Sequence, residues 1–77
     1  MTLDQLEIGE SGIITKVDGE GIFRDRLLDM GLTPRTIVYL RKTAPMGDPI
    51  ELTLRGYELT IRKESAQMIH IKKINKN

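Results

Sequence analysis

Between Ile50 and Ile61 apolar and polar residues alternate with a period of two, and the alternation is broken once, at Arg55-Gly56. Ile50, Leu52 and Leu54 alternate with Glu51, Thr53 and Arg55; Tyr57, Leu59 and Ile61 alternate with Glu58, Thr60 and Arg62. A period of two is that of a strand with one buried face. Folding the chain at Arg55-Gly56 sets Leu54 against Tyr57, Leu52 against Leu59 and Ile50 against Ile61 on one face. The other face then carries Thr53 opposite Glu58 and Glu51 opposite Thr60. A slip of one residue would put apolar against polar throughout, so the pattern dictates the register. Arg-Gly is not the strongest type I′ pair, and a type I turn with Gly56 in a bulge satisfies the pattern equally.

The rest of the chain divides around this hairpin. Leu3 to Leu6 can form one helical turn opened by Thr2. Ser11 to Val17 reads as a strand on its β-branched residues Ile13, Ile14, Thr15 and Val17, and Asp18-Gly19-Glu20-Gly21 ends it. Gly21 to Met30 predicts the one substantial helix, with Phe23, Leu27 and Met30 as an apolar stripe that Leu28 widens. Asp25 and Asp29 lie off that stripe, each free to pair with a basic neighbour. Gly31 stands where a left-handed cap ends a helix, and Pro34 forbids continuation. Thr33-Pro34-Arg35-Thr36 has the make-up of a β-turn with Pro at its second position. Thr36 to Lys42 predicts a strand, Ala44 to Pro49 a stiff loop in which Asp48 is biased towards an extended conformation, Glu64 to Gln67 a helical turn, and Ile69, Ile71 and Ile74 a closing strand. The expected fold is therefore mainly β: about five short strands joined tightly into a small closed or nearly closed barrel, with one α-helix plugging or flanking an opening.

The chain has 77 residues, enough for one compact domain over 1–77 and too few for two. A domain of this size buries only roughly 60–65% of the surface its unfolded chain exposes. With no cysteine, no disulfide or thiolate metal site can reinforce the core. The N-terminal stretch carries acid where a secretory leader carries base. The longest apolar run, Ile37 to Leu40, falls far short of the ~20 residues of a membrane span. The expectation is a cytoplasmic chain that does not insert into membrane. The formal net charge of +1, from interspersed acids and bases, provides no broad field for nucleic acid. Lys72, Lys73 and Lys76 form the one basic cluster, read as a solvated tail from about residue 75.

Catalytic and metal-binding side chains are scarce. His70 is the sole histidine; flanked by Ile69 and Ile71, it is expected on the outer barrel face. Ser11 and Ser65, the serines, lie outside any nucleophile-turn context. Asp4, Glu7 and Glu10 recur every three residues and could share a helical face, read as a solvated acidic edge. Met30, Met46 and Met68 are soft donors whose ordinary role is packing. Gly19 and Gly21 precede the helix as in some phosphate sites, but Asp18 and Glu20 would repel an anion and no P-loop lysine follows. Of the aromatic residues, Phe23 is expected in the helix core and Tyr57 against Leu54, leaving only Tyr39 for base stacking. No catalytic, cofactor or metal site is assigned, and no nucleic-acid partner.

Four motifs in order carry a resemblance: Arg26-Leu27-Leu28-Asp29-Met30-Gly31-Leu32-Thr33-Pro34, then Ala44-Pro45-Met46-Gly47-Asp48-Pro49, then Arg55-Gly56-Tyr57-Glu58-Leu59, then Arg62-Lys63-Glu64-Ser65-Ala66. Together, across about Leu3 to Ile74, they resemble the FeoA family, ferrous iron transport protein A. The resemblance implies an SH3-like barrel. It also implies a cytosolic accessory of FeoB, a membrane transporter of ferrous iron with an N-terminal GTPase domain. Similar SH3-like domains end the iron-dependent repressors of the diphtheria-toxin-repressor family, but the helix-turn-helix and dimerisation segments of such a repressor are not in this chain. The family usually has Gly where Arg35 stands, implying a turn with positive φ, and often Leu where Met46 stands.

The leading functional expectation is a module that binds a FeoB-like transporter through its cytosolic region, with no cofactor of its own. The contact candidates are Met46, Gly47 and Asp48 on the Ala44–Pro49 loop, and Arg55 and Tyr57 at the hairpin turn, expected nearby, because loops on a rigid scaffold often carry binding. The competing reading is that Gly47, Pro49 and Gly56 only shape turns. Met46, an apolar residue on a loop tip, is the strongest single candidate. The alternatives are an SH3-like regulatory domain of an iron-responsive system that binds a peptide or nucleic acid, and direct ferrous iron binding by His70 with nearby carboxylates.

Overall fold

The computed structural model describes residues 1–74; the tail from about 75, with Lys76, lies outside the described residues. After a 3-10 turn at Leu3–Gln5, the order is β1 (Ser11–Val17), α1 (Gly21–Asp29), β2 (Ile37–Thr43), β3 (Ile50–Leu54), β4 (Tyr57–Ile61), α2 (Lys63–Ala66) and β5 (Ile69–Ile74). The strands make one antiparallel sheet in the order β4-β3-β2-β1-β5. β1 to β4 form a meander, and β5 returns to the far side of β1. Strands β4 and β5 are the two edges of this sheet, and α2 joins them in the chain.

The β3–β4 pairing has the register the alternation dictates: Leu54 with Tyr57, Leu52 with Leu59, Ile50 with Ile61. Arg55 and Gly56 both have positive φ, 47° and 84°, which selects the type I′ turn over the bulged alternative. Register shifts break the alternation in the longer strands. One, between Ile14 and Lys16, lets β1 bury Ile14 and Val17 three residues apart. The other falls between Leu40 and Lys42, and such bulges tighten local twist and let a short sheet coil. The inner faces of all five strands then share one core, in which Leu3, Ile14, Val38, Leu52, Leu54 and Ile69 are among the fully buried side chains.

The helix differs from expectation. It ends at Asp29; Met30 caps it, Gly31 follows at φ 96°, and Leu32 N–H returns to the Leu27 carbonyl at 3.1 Å. Of the expected stripe only Leu27 is buried; Leu28 and Met30 are half-buried, and Phe23 is 62% exposed. Phe23 is therefore not a core residue. It stands one turn ahead of Leu27, where it faces a cleft against α2 instead of the sheet. Asp25 and Asp29 form no ion pair among the described residues.

The link from α1 to β2 is a tight turn, with Thr36 N–H bonded to the Thr33 carbonyl at 3.1 Å. Arg35, its third residue, has φ 75°, the left-handed conformation of a type II turn. Asp4, Glu7 and Glu10 do not share a helical face. Asp4 lies in the 3-10 turn, while Glu7 and Glu10 bracket a separate turn in which Glu7 N–H donates to Glu10 Oε1 at 2.8 Å.

Candidate functional site

The Ala44–Pro49 loop closes on itself through Ala44 N–H to the Pro49 carbonyl, 2.9 Å, and Gly47 N–H to the Ala44 carbonyl, 2.7 Å. Gly47 has φ 85°, so its role there is to allow the turn. Asp48 Oδ1 accepts from Lys63 N–H at 3.0 Å, tying the loop to the first residue of α2 and offsetting one of that helix's unpaired donors. The Asp48–Pro49 peptide is cis. Met46 is the loop residue with no such duty: it is 93% exposed.

At the hairpin turn, the Arg55 guanidinium donates to Thr33 Oγ1 at 2.9 Å and Thr36 Oγ1 at 2.8 Å. Tyr57 donates its hydroxyl proton to the Met30 carbonyl. Both side chains thus strap the hairpin to the α1–β2 link. Gly31 is required beneath Tyr57, because a Cβ there would meet the tyrosine hydroxyl. The five candidates do not form one patch. The β2–β3 loop and the β3–β4 turn lie at opposite ends of β3, roughly 13 Å apart for four strand steps. The expectation that the turn lies near the loop is corrected by the antiparallel topology, which puts successive connections at alternate ends.

His70 is half-buried and not fully exposed. Its Nε2 contacts the Asp18 carboxylate, which also pairs with Lys16 at 3.3 Å. These two partners hold the Asp18 carboxyl below its ordinary range, His70 more than Lys16. Among the described residues, no three His, Cys, Asp or Glu side chains converge as a metal site would require. Glu10 pairs with Lys73; each stabilises the charged form of the other, lowering the carboxyl pKa and raising that of the amine.

Two clefts went unread in the sequence. One, of about 280 Å³, lies between α1 and α2 and is lined by Phe23, Arg26, Leu27, Met30, Glu64 and Met68. The other, of about 450 Å³, lies between the N-terminal turn and the β2–β3 loop, with Asp4, Glu7, Ile8, Gly47 and Lys63 in its walls. Ile8 and Ile22 are 60% and 61% exposed. Ile8 stands alone between polar residues, the one hint that it does not pack; Phe23 offered none, since its spacing is that of a core stripe. No helix among the described residues is long and apolar enough to cross a membrane.

Comparison with known proteins matches residues 1–73 to the model of the FeoA domain. The chain is 32% identical over all 77 residues to a fusion protein of Porphyromonas gingivalis, described as Fe(2+) transport protein A/Fe(2+) transporter FeoB, and spans 9% of that protein's length. Among solved structures it resembles a FeoA-like protein of Clostridium acetobutylicum at TM-score 0.92 and 35% identity, covering the whole chain and 90% of the other. It also overlays FeoA of Stenotrophomonas maltophilia at TM-score 0.81 and 20% identity, covering 94% of the chain and 89% of the other. That protein is described as a prokaryotic SH3 domain protein, and the likeness shows the same SH3-like fold.

Proposed function

The chain belongs to the FeoA domain family, and from that membership we propose that it serves ferrous iron uptake by binding the cytosolic region of a FeoB-like membrane transporter. In this reading it acts in the cytoplasm, by contact and without catalysis, and iron is the transporter's cargo, not a resident cofactor. The observation that carries the proposal is the fusion relative, in which the segment matching this chain shares one polypeptide with the transporter. A covalent link makes the encounter intramolecular, and two chains that act together gain from the high effective concentration it brings.

Met46 is the proposed contact residue. The loop around it is held by its own hydrogen bonds and by Asp48 on α2, the Met46 side chain is 93% exposed, and an exposed flexible thioether packs well against another protein. The test is a pull-down with the full-length transporter, comparing wild type with Met46→Asp. We expect an unchanged melting temperature, since Met46 has no internal packing to lose, and at least tenfold weaker capture, the effect of a charge placed in an apolar contact. Unchanged capture by a folded variant removes Met46 from the site. No capture of the wild type overturns the transporter reading.

A further inference from the structure

The two edges of the sheet are finished differently. The β5 edge is occupied: Ile71 N–H donates to the Met1 carbonyl at 2.8 Å, and Thr2 forms a bridge with His70. β5 also carries Lys72 and Lys73, side chains that resist pairing with another strand. The β4 edge has none of these devices. It is a regular five-residue strand, Tyr57–Ile61, with no lysine, no proline and no shift in its register with β3.

That register also shows which backbone groups are free. The two-residue turn makes Leu54–Tyr57 a hydrogen-bonded pair, so Leu52–Leu59 and Ile50–Ile61 are hydrogen-bonded pairs too. The N–H and C=O groups of Tyr57, Leu59 and Ile61 therefore face β3, and those of Glu58 and Thr60 face outward. Outside the ladder with β3, no described residue bonds to the backbone of Glu58 or Thr60. Both residues are exposed.

The side chains beside this edge have a definite chemistry. Glu58 and Glu51 stand at diagonal positions on the outer face of β3 and β4, and the nearby Arg41 guanidinium is taken by Glu51 at 2.5 Å. Glu58 is left with no ion pair among the described residues. Two residues on, Thr60 borders a cleft of about 280 Å³ with Lys42, Pro45, Pro49, Ile50 and Glu51.

We propose that the outward edge of β4 is a strand-addition site that takes an extended segment of the transporter, with a basic side chain opposite Glu58 and an apolar side chain two residues away, over the cleft beside Thr60. Main-chain bonds to Glu58 and Thr60 supply affinity, and the alternate side chains supply selectivity. This proposal rests on the transporter reading above.

The test uses full-length transporter in nanodiscs and reads hydrogen exchange together with affinity. The Glu58 and Thr60 amides are expected to exchange freely in the isolated chain and to become protected in the complex. Thr60→Pro removes an outward donor that the β3 ladder does not use, a position where an edge strand tolerates proline. Thr60→Pro and Glu58→Lys are each expected to weaken binding about tenfold, as the loss of a main-chain bond or a charge pair would. Should Thr60→Pro fail to fold, Glu58→Lys and exchange in the wild type decide the matter. A complex that leaves both amides unprotected, and that Glu58→Lys does not weaken, overturns the edge site while the transporter reading stands. No complex with the wild type overturns both. A dimer of this chain that Thr60→Pro abolishes, with the transporter binding elsewhere, assigns the edge to a second copy and overturns the proposal.

Discussion

Two arginines show how the same backbone conformation can have opposite consequences. Arg35 and Arg55 both occupy the left-handed region, at φ 75° and 47°, where a residue with a Cβ is disfavoured by roughly 1–2 kcal/mol. The Arg55 side chain offsets that cost, because its guanidinium satisfies the hydroxyls of Thr33 and buried Thr36. The Arg35 side chain makes no hydrogen bond or ion pair among the described residues. Arg35→Gly is therefore expected to be neutral or to stabilise by up to about 1 kcal/mol, the relief of strain being partly cancelled by a more flexible unfolded chain. Arg55→Gly is expected to destabilise by about 1–2 kcal/mol, as a charge-assisted bond to a buried hydroxyl is lost. Thermal melts of the two variants beside wild type check both signs; a clear drop for Arg35→Gly contradicts the turn geometry.

At the scale of elements, the hairpin and the helix answered the same kind of pattern differently. In the hairpin each residue's face is set by its partner across a two-residue turn, so alternation alone carried the register and the burial of β3; on β4, at the sheet's edge, only Ile61 is buried, Leu59 is half-buried and Tyr57 is exposed. In α1 the stripe Phe23, Leu27, Met30 is a valid helical face, but the nine-residue helix packs its apolar side chains on the core through its last turn, while its first turn is tied to β1 by Arg24 Nε donating to the Val17 carbonyl at 3.0 Å. Leu27 reaches the core, and Phe23 is left in the cleft against α2. Leu27→Ala is expected to cost about 2–4 kcal/mol, the loss of a buried leucine and the cavity it leaves. Phe23→Ala is expected to change stability by no more than about 0.5–1 kcal/mol, since an exposed ring loses little contact. Chemical denaturation of both variants measures the difference, and equal losses would mean that Phe23 is packed after all.

For the whole molecule, the exposed ion pairs define a pH window. Asp18 and Glu10 have carboxyl pKa values lowered below their ordinary 3.8 and 4.5. Their stabilisation is full above those values and is lost as pH falls through the lower folded-state values. Lys73 is raised above its ordinary 10.5, so its share is full below that value and is lost as pH rises through the folded-state value. The melting temperature is expected to be flat, as far as these groups go, from about pH 5 to about pH 10, and to fall on both sides. Lys73→Met should soften both limbs and Asp18→Asn only the acid one. Calorimetric scans across this range test the assignment; an alkaline limb unchanged in Lys73→Met would exclude the Glu10–Lys73 pair as its source.

The sequence by itself determined what depends on neighbours along the chain. The register of β3 and β4, the start and end of β1, the stop at Gly31 and the turn at Thr33–Thr36 all follow from local alternation and backbone sterics, which act over a few residues, while the positive φ at Arg35 was implied by the family resemblance. The four ordered motifs carried the family for the same reason, being contiguous. Tertiary structure decided what depends on distance across the fold. It turned Phe23 outward, strapped Arg55 and Tyr57 to the α1–β2 link, brought His70 to Asp18 and left β4 open while Met1 and Thr2 closed β5. None of these could be read from spacing, because each is set by which surfaces meet when a coiled sheet closes over its core, and that is a property of the packed whole.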